Sequence, residues 1–232
     1  MLNFVLLGPD GHADRYTELG RVQFRLVTAL LRFQNIILGM IARGEGAEAA
    51  TDRLCLEIEA MLPGVVVSVL RLERNGLLHT VSSPSLPAAY SGLIANLMIG
   101  PNVGSCGTAA YLRTPIAVTD IESDPRWAAF RAALRPTGLQ ACWSSPIIGT
   151  DGTVLGTLAL YFPEARAPSE REMRIALEGN ELCIIALEQR GPSWSASAGP
   201  PPTRSPNCPI ARASTPRCRI CPARSRSAGG CC

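Results

Sequence analysis

At Gly191 the chain changes from one kind of polymer to another, and that break confines any folded core to the residues before it. From Gly191 to Cys232 there are eight prolines, seven serines, six arginines and five cysteines, with neither aspartate nor glutamate. Proline lacks the amide proton that helix interiors and central strands need. The few apolar residues between the prolines cannot bury enough surface to offset the entropy of ordering them. Residues 191–232 are therefore read as disordered. Taking the tail's six arginines from the chain's 22 basic residues leaves 16 against 19 acidic ones, so the body carries −3 while the whole chain carries +3. A nucleic-acid role would rest on those tail arginines alone, without interleaved aromatics, and is not expected.

The cysteines divide in the same way. Cys55, Cys106, Cys142 and Cys183 are scattered through the body, and Cys208, Cys218, Cys221, Cys231 and Cys232 crowd into the tail. Cys218 and Cys221 form a CxxC, but structural zinc needs a second pair across a small loop. The later thiols, Cys231 and Cys232, are adjacent and hard to close on one metal, so no metal site is expected. Every one of the 22 basic residues is arginine, which points to a GC-rich coding sequence. When Thr203 to Cys221 is back-translated with GC-favoured codons and read two bases later, the same nucleotides can encode ALTELPNRARFHAALPHL. That string resembles the opening of a GGDEF (diguanylate cyclase) domain, LTGLPNR followed by an amphipathic helix. The resemblance implies that the tail is out-of-frame translation of a lost output domain.

The start, MLNFVLLGPDG, has no basic n-region and too short an apolar run for a secretory signal, and nothing reaches the roughly 18 consecutive apolar residues of a membrane span. A cytoplasmic protein without a membrane partner is expected, with residues 1–20 as a remnant or extension. Apolar residues at helical spacing from Leu19 to Ala42 predict an amphipathic helix, and Ala50, Leu54, Ile58 and Met61 mark a second over Ala47 to Leu62. Residues 21–63 are thus helices leading into the domain, able to serve as connector and homodimer elements or simply to pack on it. Strands follow at Val65 to Leu72 and Leu77 to Ser82, joined at Arg74-Asn75-Gly76, where Asn-Gly suggests a primed turn. A long crossing segment contains short helices at Ala88 to Asn96 and Pro125 to Leu134, and a short strand at Ile116 to Val118. A hairpin pairs Leu139 to Ile148 with Thr153 to Tyr161, whose alternation suggests one solvated or ligand-facing side. The closing helix, Glu170 to Arg190, starts with a capping box of Ser169 and Glu172 and should bury Met173, Ala176, Leu177, Leu182, Ile185 and Leu187. Together these elements give an α+β domain: an antiparallel sheet of about five or six strands with helices on one face, preceded by a long amphipathic helix.

Three segments carry the chemistry: GPNVGSCGTAAYLRTPIAVTDIESDPRW, GLQACWSSPIIGTDGTVLGTLALYF and RAPSEREMRIALEGNELCIIALEQR. Gly104, Gly107 and their small neighbours let backbone approach a pocket and start a helix whose N-terminus could meet an anion. Asp124 and Pro125 have cap and first-turn chemistry, while Asp120 is read as a turn residue rather than a catalytic one. Gly152 and Gly156 serve the hairpin and its close packing. These blocks, GSCGTAA, DPxW, ACWSxPI and GxVLGTxALY in that order, closely resemble the GAF domain family. The match is closest to GAF modules joined to cyclic-di-GMP enzymes and sensor kinases. It covers residues 64–190 and implies a small-molecule pocket between sheet and crossing segment, bordered by Ser105, Cys106, Tyr111, Trp127, Phe130 and Trp143. Fold analogy leaves the ligand or cofactor unknown.

The resemblance implies a sensory, non-catalytic module of signal transduction. A rival is enzymatic: free methionine sulfoxide reductases are also single GAF domains with a CGTA motif, which Cys106 matches. Their reducing cysteine falls in a segment that corresponds to Asp124–Arg135 and holds no cysteine here; Cys142 lies on the following strand instead. Tetrapyrrole binding would depend on His12 or His79, and a lone histidine in a strand is more often structural. The NKxFDE-type signature of cyclic-nucleotide GAF domains is absent.

Overall fold

The computed structural model describes residues 13–94 and 96–188. The expectations for the first residues and for the tail, with its CxxC, lie outside them. Helix α1 runs from Ala13 to Ala42 without a proline, and Gly44 and Gly46, both at positive φ, turn the chain into α2, Ala47–Met61. Of the expected stripe, Ala50, Leu54 and Ile58 are buried and Met61 is half-buried against the same core; Thr51 and Cys55 join them inside. Residues Gln23–Ala42 of α1 are long and apolar enough to cross a membrane. They also carry Arg25 and Arg32, and Leu30, Phe33, Ile37 and Ile41 are buried in one core cluster with residues of α2 and α6.

Six strands make one sheet: β1 (Val66–Leu72), β2 (Leu77–Ser82), β3 (Leu97–Met98), β4 (Ile116–Val118), β5 (Ala141–Ile148) and β6 (Val154–Phe162). Their order is β3-β2-β1-β6-β5-β4, and every neighbouring pair is antiparallel. Two-residue β3 at the edge has no counterpart among the expected strands. The β1–β2 turn differs from the expected primed form. Only Gly76 has positive φ (83°), Asn75 does not, and Glu73 N–H donates to Leu77 O across a three-residue loop. That is a type I turn closed by a left-handed glycine, the usual three-residue hairpin.

The crossing segment between β2 and β5 holds α3 (Ala88–Ile94), α4 (Gly104–Leu112), a 3-10 turn at Pro125–Trp127, α5 (Arg131–Leu134) and a second 3-10 turn at Arg135–Thr137. The last helix, α6 (Glu170–Glu188), opens with the expected capping box: Glu172 N–H donates to Ser169 Oγ at 3.3 Å and Ser169 N–H to Glu172 Oε2 at 2.7 Å. The three long helices share one face of the sheet, in a core with Val67, Val69, Trp143, Leu158, Leu160 and Phe162. The crossing segment covers the other face, in a core with Leu70, Leu78, Cys142, Ala159 and Tyr161.

That double covering narrows one expectation and corrects another. Of the solvated or ligand-facing side expected of β6, the solvated alternative is excluded: from Gly156 to Phe162 every residue is buried. And α6 buries Ile175, Gly179, Asn180 and Cys183, while Leu177 and Ile185, expected inside, are 49% and 41% exposed.

Candidate ligand pocket

The site is built from two short segments docked against β1 and β6. Gly104 opens α4 at φ +55°, where any side chain is strained. Val103 N–H donates to Thr108 Oγ1 at 3.2 Å, which ties the start of the helix to its own second turn. Ser105 and Cys106 are buried on the first turn. On the second segment Asp124 accepts from Arg126 N–H at 2.9 Å, with Pro125 at the first position of the 3-10 turn, as its sequence predicts. The turn delivers Trp127 inward, and its indole Nε1–H donates to Ser105 Oγ at 3.1 Å.

Around that bond the aromatic rings pack edge to face. Trp127 meets Phe130 at 6.3 Å and Tyr161 at 6.4 Å between centroids, and Tyr161 meets Tyr90 at 6.1 Å. Ser68 Oγ donates to the Tyr161 hydroxyl at 3.4 Å. Between these rings, Leu70, Leu97 and the start of α4 lies a cavity of about 10 Å³, room for one water molecule. Among the described residues no charged side chain lines it. Burial pushes the Cys106 thiol and the Tyr90 and Tyr161 hydroxyls up from their ordinary values, so all three are neutral near pH 7. Cys142, beside Cys106 and Ser105, is pushed up for the same reason.

Of the six residues expected to border a pocket, Ser105, Cys106, Trp127 and Phe130 do. Trp143 does not. Strand residues alternate between faces, and Cys142 takes the cavity side of β5, so Trp143 is buried in the helical core on the other side. Tyr111 lies near the C-terminal end of α4, 51% exposed and away from the cavity. Tyr90 and Tyr161 were missing from the expected set. Tyr161 is two residues from Ala159 on the cavity face of β6, a spacing that could have marked it; Tyr90 sits in a short helix with no motif.

Other candidates fall elsewhere. Asp120 forms an exposed turn, accepting from Glu122 N–H at 3.0 Å and from Ser123 Oγ at 2.7 Å. His79 pairs across the strands with Arg71 and lies 3.3 Å from Glu73; next to cavity-side Leu78, it faces the helical layer. Among the described residues no group of three or more His, Cys, Asp or Glu could hold a metal ion.

Comparison with known proteins agrees with this architecture. The family model of the GAF domain matches residues 46–187. The methyl sulfide methyltransferase-associated sensor of Methanosarcina acetivorans is 34% identical over 160 residues, which are 68% of this chain and 16% of that protein. The chain therefore spans a small part of that relative's length. Among solved structures, a GAF sensor protein from Burkholderia vietnamiensis has a TM-score of 0.54 at 17% identity, covering 68% of this chain and 90% of its own. The free methionine-R-sulfoxide reductase of Neisseria meningitidis, solved with its substrate, has a TM-score of 0.56 at 15% identity, covering 70% and 88%. Similarity at those identities speaks for the fold, which sensors and reductases share. From residue 46 to residue 187, this chain belongs to the GAF domain family.

Proposed function

We propose that the chain is the sensory, non-catalytic part of a signal-transduction protein, in which ligand entry at the ring-lined cavity shifts the crossing segment and is read out through α6. The observation that carries this reading is the short path between the two. On β5, Cys142 belongs to the cavity core, while Ser145, on the other face, accepts a 2.9 Å bond from Asn180 Nδ2 of α6. Asn180 also donates to Pro146 O at 3.3 Å. One strand thus separates pocket from output helix. The sensor named among the relatives supports the same reading.

The proposal extends to assembly and output. Phe24, Val27, Leu31 and Leu38 of α1 are exposed at spacings of three, four and seven residues, the seam of a two-stranded coil, and suit a cytoplasmic homodimer formed through the flanking helices. The output domain is read as a diguanylate cyclase encoded in the shifted frame of the tail. Nucleotide sequencing through codons 185 to 232 tests that part, and a gene without the LTELPNR string in any frame would remove it. The sensory reading is tested by native mass spectrometry and thermal-shift screening of the intact chain. A saturable ligand without turnover is the expected result. Reduction of free methionine sulfoxide, lost in Cys106→Ser, would replace the sensor with the enzyme.

A further inference from the structure

The geometry points to an uncharged, planar, indole- or phenol-sized molecule as the ligand of this cavity, admitted by displacement of Phe130. The inference rests on the sensory reading of the same site.

Three observations carry it. First, among the described residues the lining holds no guanidinium, carboxylate or imidazole, so an ion brought in would lose its hydration with no counter-charge to replace it. Second, two features could favour an ion, and both are weak. The N-terminus of α4 carries about half a charge, and Val103 N–H there is already taken by Thr108 Oγ1. The rings attract cations through their faces, but three edge-to-face contacts at interplanar angles of 82°, 86° and 87° already take up part of that surface, and a cation there would find no carboxylate among the described residues of the lining to complete its neutralisation. Third, the apolar walls are four rings, Tyr90, Trp127, Phe130 and Tyr161, with three aliphatic side chains, Leu70, Ile94 and Leu97. A flat ring continues that edge-to-face packing, whereas a flexible chain would not.

At about 10 Å³ the cavity is too small for such a ring until one wall moves. Phe130 is the wall best placed to do so. It is half-buried, while Trp127, Tyr90 and Tyr161 are buried. Its backbone precedes the four-residue helix α5, and its ring stands over Gly104, 3.8 Å from where a side-chain carbon would begin. Swinging Phe130 outward opens the cavity between α4 and α5 without disturbing the Trp127–Ser105 bond.

The test uses the full chain, labelled with 15N, and three probes with the same ring: indole, indole-3-acetate and tryptamine. The reporter is the Nε1–H resonance of Trp127, identified by its loss in Trp127→Phe. Indole is expected to shift it saturably and to raise Tm, with indole-3-acetate and tryptamine at least about tenfold weaker. Phe130→Ala is expected to bind indole at least about tenfold tighter, since no ring need be displaced. If that variant does not fold, the three probes on the wild-type chain decide. Equal or tighter binding of either charged probe at Trp127 would overturn the ligand class and leave the sensory reading standing. A Trp127 resonance that no probe moves in either protein would also overturn the ligand class; the sensory reading falls separately, if native mass spectrometry and the thermal-shift screen find no saturable ligand.

Discussion

Trp127 and Ser105, 22 residues apart in sequence, are joined by a buried 3.1 Å hydrogen bond that fastens the crossing segment to the first turn of α4. Ser105→Ala leaves the indole N–H buried without an acceptor, at a cost of about 1–3 kcal/mol. For a body of this size that lowers Tm by roughly 3–10 °C. Thermal unfolding measures the loss, and Ser105→Thr, which keeps the hydroxyl, should restore most of it. An unchanged Tm in Ser105→Ala would show that the bond contributes nothing.

Gly156 has a different kind of importance. A side-chain carbon there would lie 2.0 Å from the carbonyl oxygen of Leu70 on the neighbouring strand, with no flexible atom to yield. Gly156→Ala should therefore break the β1–β6 pairing at the centre of the sheet and cost about 3 kcal/mol or more, enough to leave little soluble protein. Gly152, in the turn of the same hairpin, has φ +80° but open space around it. Gly152→Ala should cost only about 1 kcal/mol. Soluble yield and urea midpoints of the two variants separate close approach from conformational strain.

The start of α6 makes the domain acid-sensitive. Arg166 donates to both carboxylate oxygens of Glu172 at 2.9 and 2.7 Å, and with the Ser169 bonds it holds that carboxyl down from its ordinary 4.5 to about 2. A folded-state value below the unfolded one means stability that is present above pH 4.5 and lost as pH falls toward 2. Arg166 is 36% exposed, so solvent screening reduces the contribution to about 1–2 kcal/mol. Glu172→Gln keeps an acceptor for the cap but not the charge. Its urea midpoint should change less than the wild type's between pH 5 and pH 2.5, and parallel curves would refute the assignment.

The four body thiols should be chemically silent. Cys55, Cys106, Cys142 and Cys183 are free and buried, and burial pushes each thiol up, Cys55 to about 12. Alkylation follows the thiolate, so at pH 8 each should react about 100-fold slower in the native chain than in denaturant. Peptide mapping after a timed iodoacetamide pulse reads this residue by residue. Rapid labelling of Cys106 would restore the enzymatic reading.

How far the sequence discloses the pocket depends on what each motif encodes. Gly104, Ser105, Asp124 and Trp127 are legible because caps and left-handed turns are local chemistry: Asp124 takes Arg126 N–H two residues on, and nothing distant is needed. The face of a strand is not local. β5 is buried on both sides, so its two parities are equally apolar, and nothing in ACWSSPII distinguishes Cys142, toward the pocket, from Trp143, toward the helices. The same ambiguity misplaces Leu177 and Ile185 on α6. Buried Gly179 and Asn180 shift the helix's inner face, because the small residue admits Ile58 and the polar one finds Ser145. In the β1–β2 turn, Asn-Gly suits more than one geometry, and only the register of Glu73 against Leu77 selects between them.

The exposed seam of α1 leads to the last prediction. Phe24 is 73% exposed and Leu31 55%, on a helix whose opposite stripe is already buried in the core. Burying such side chains is worth about 1.5–3 kcal/mol each, and a seam repeated on two copies satisfies both at once. Light scattering of the intact chain should therefore give about twice the monomer mass of 24.7 kDa. Phe24→Glu with Leu31→Glu should return it to one copy. Both positions are exposed in the single chain, so the variant should keep its fold, visible as an unchanged far-ultraviolet spectrum. A wild-type monomer at 50 µM would remove the dimer. Because Gln23–Ala42 also has the length and hydropathy of a membrane span, flotation with phosphatidylcholine vesicles supplies the opposing arm: a chain that floats, and stops floating in the double variant, places the same stripe against lipid instead of against its copy.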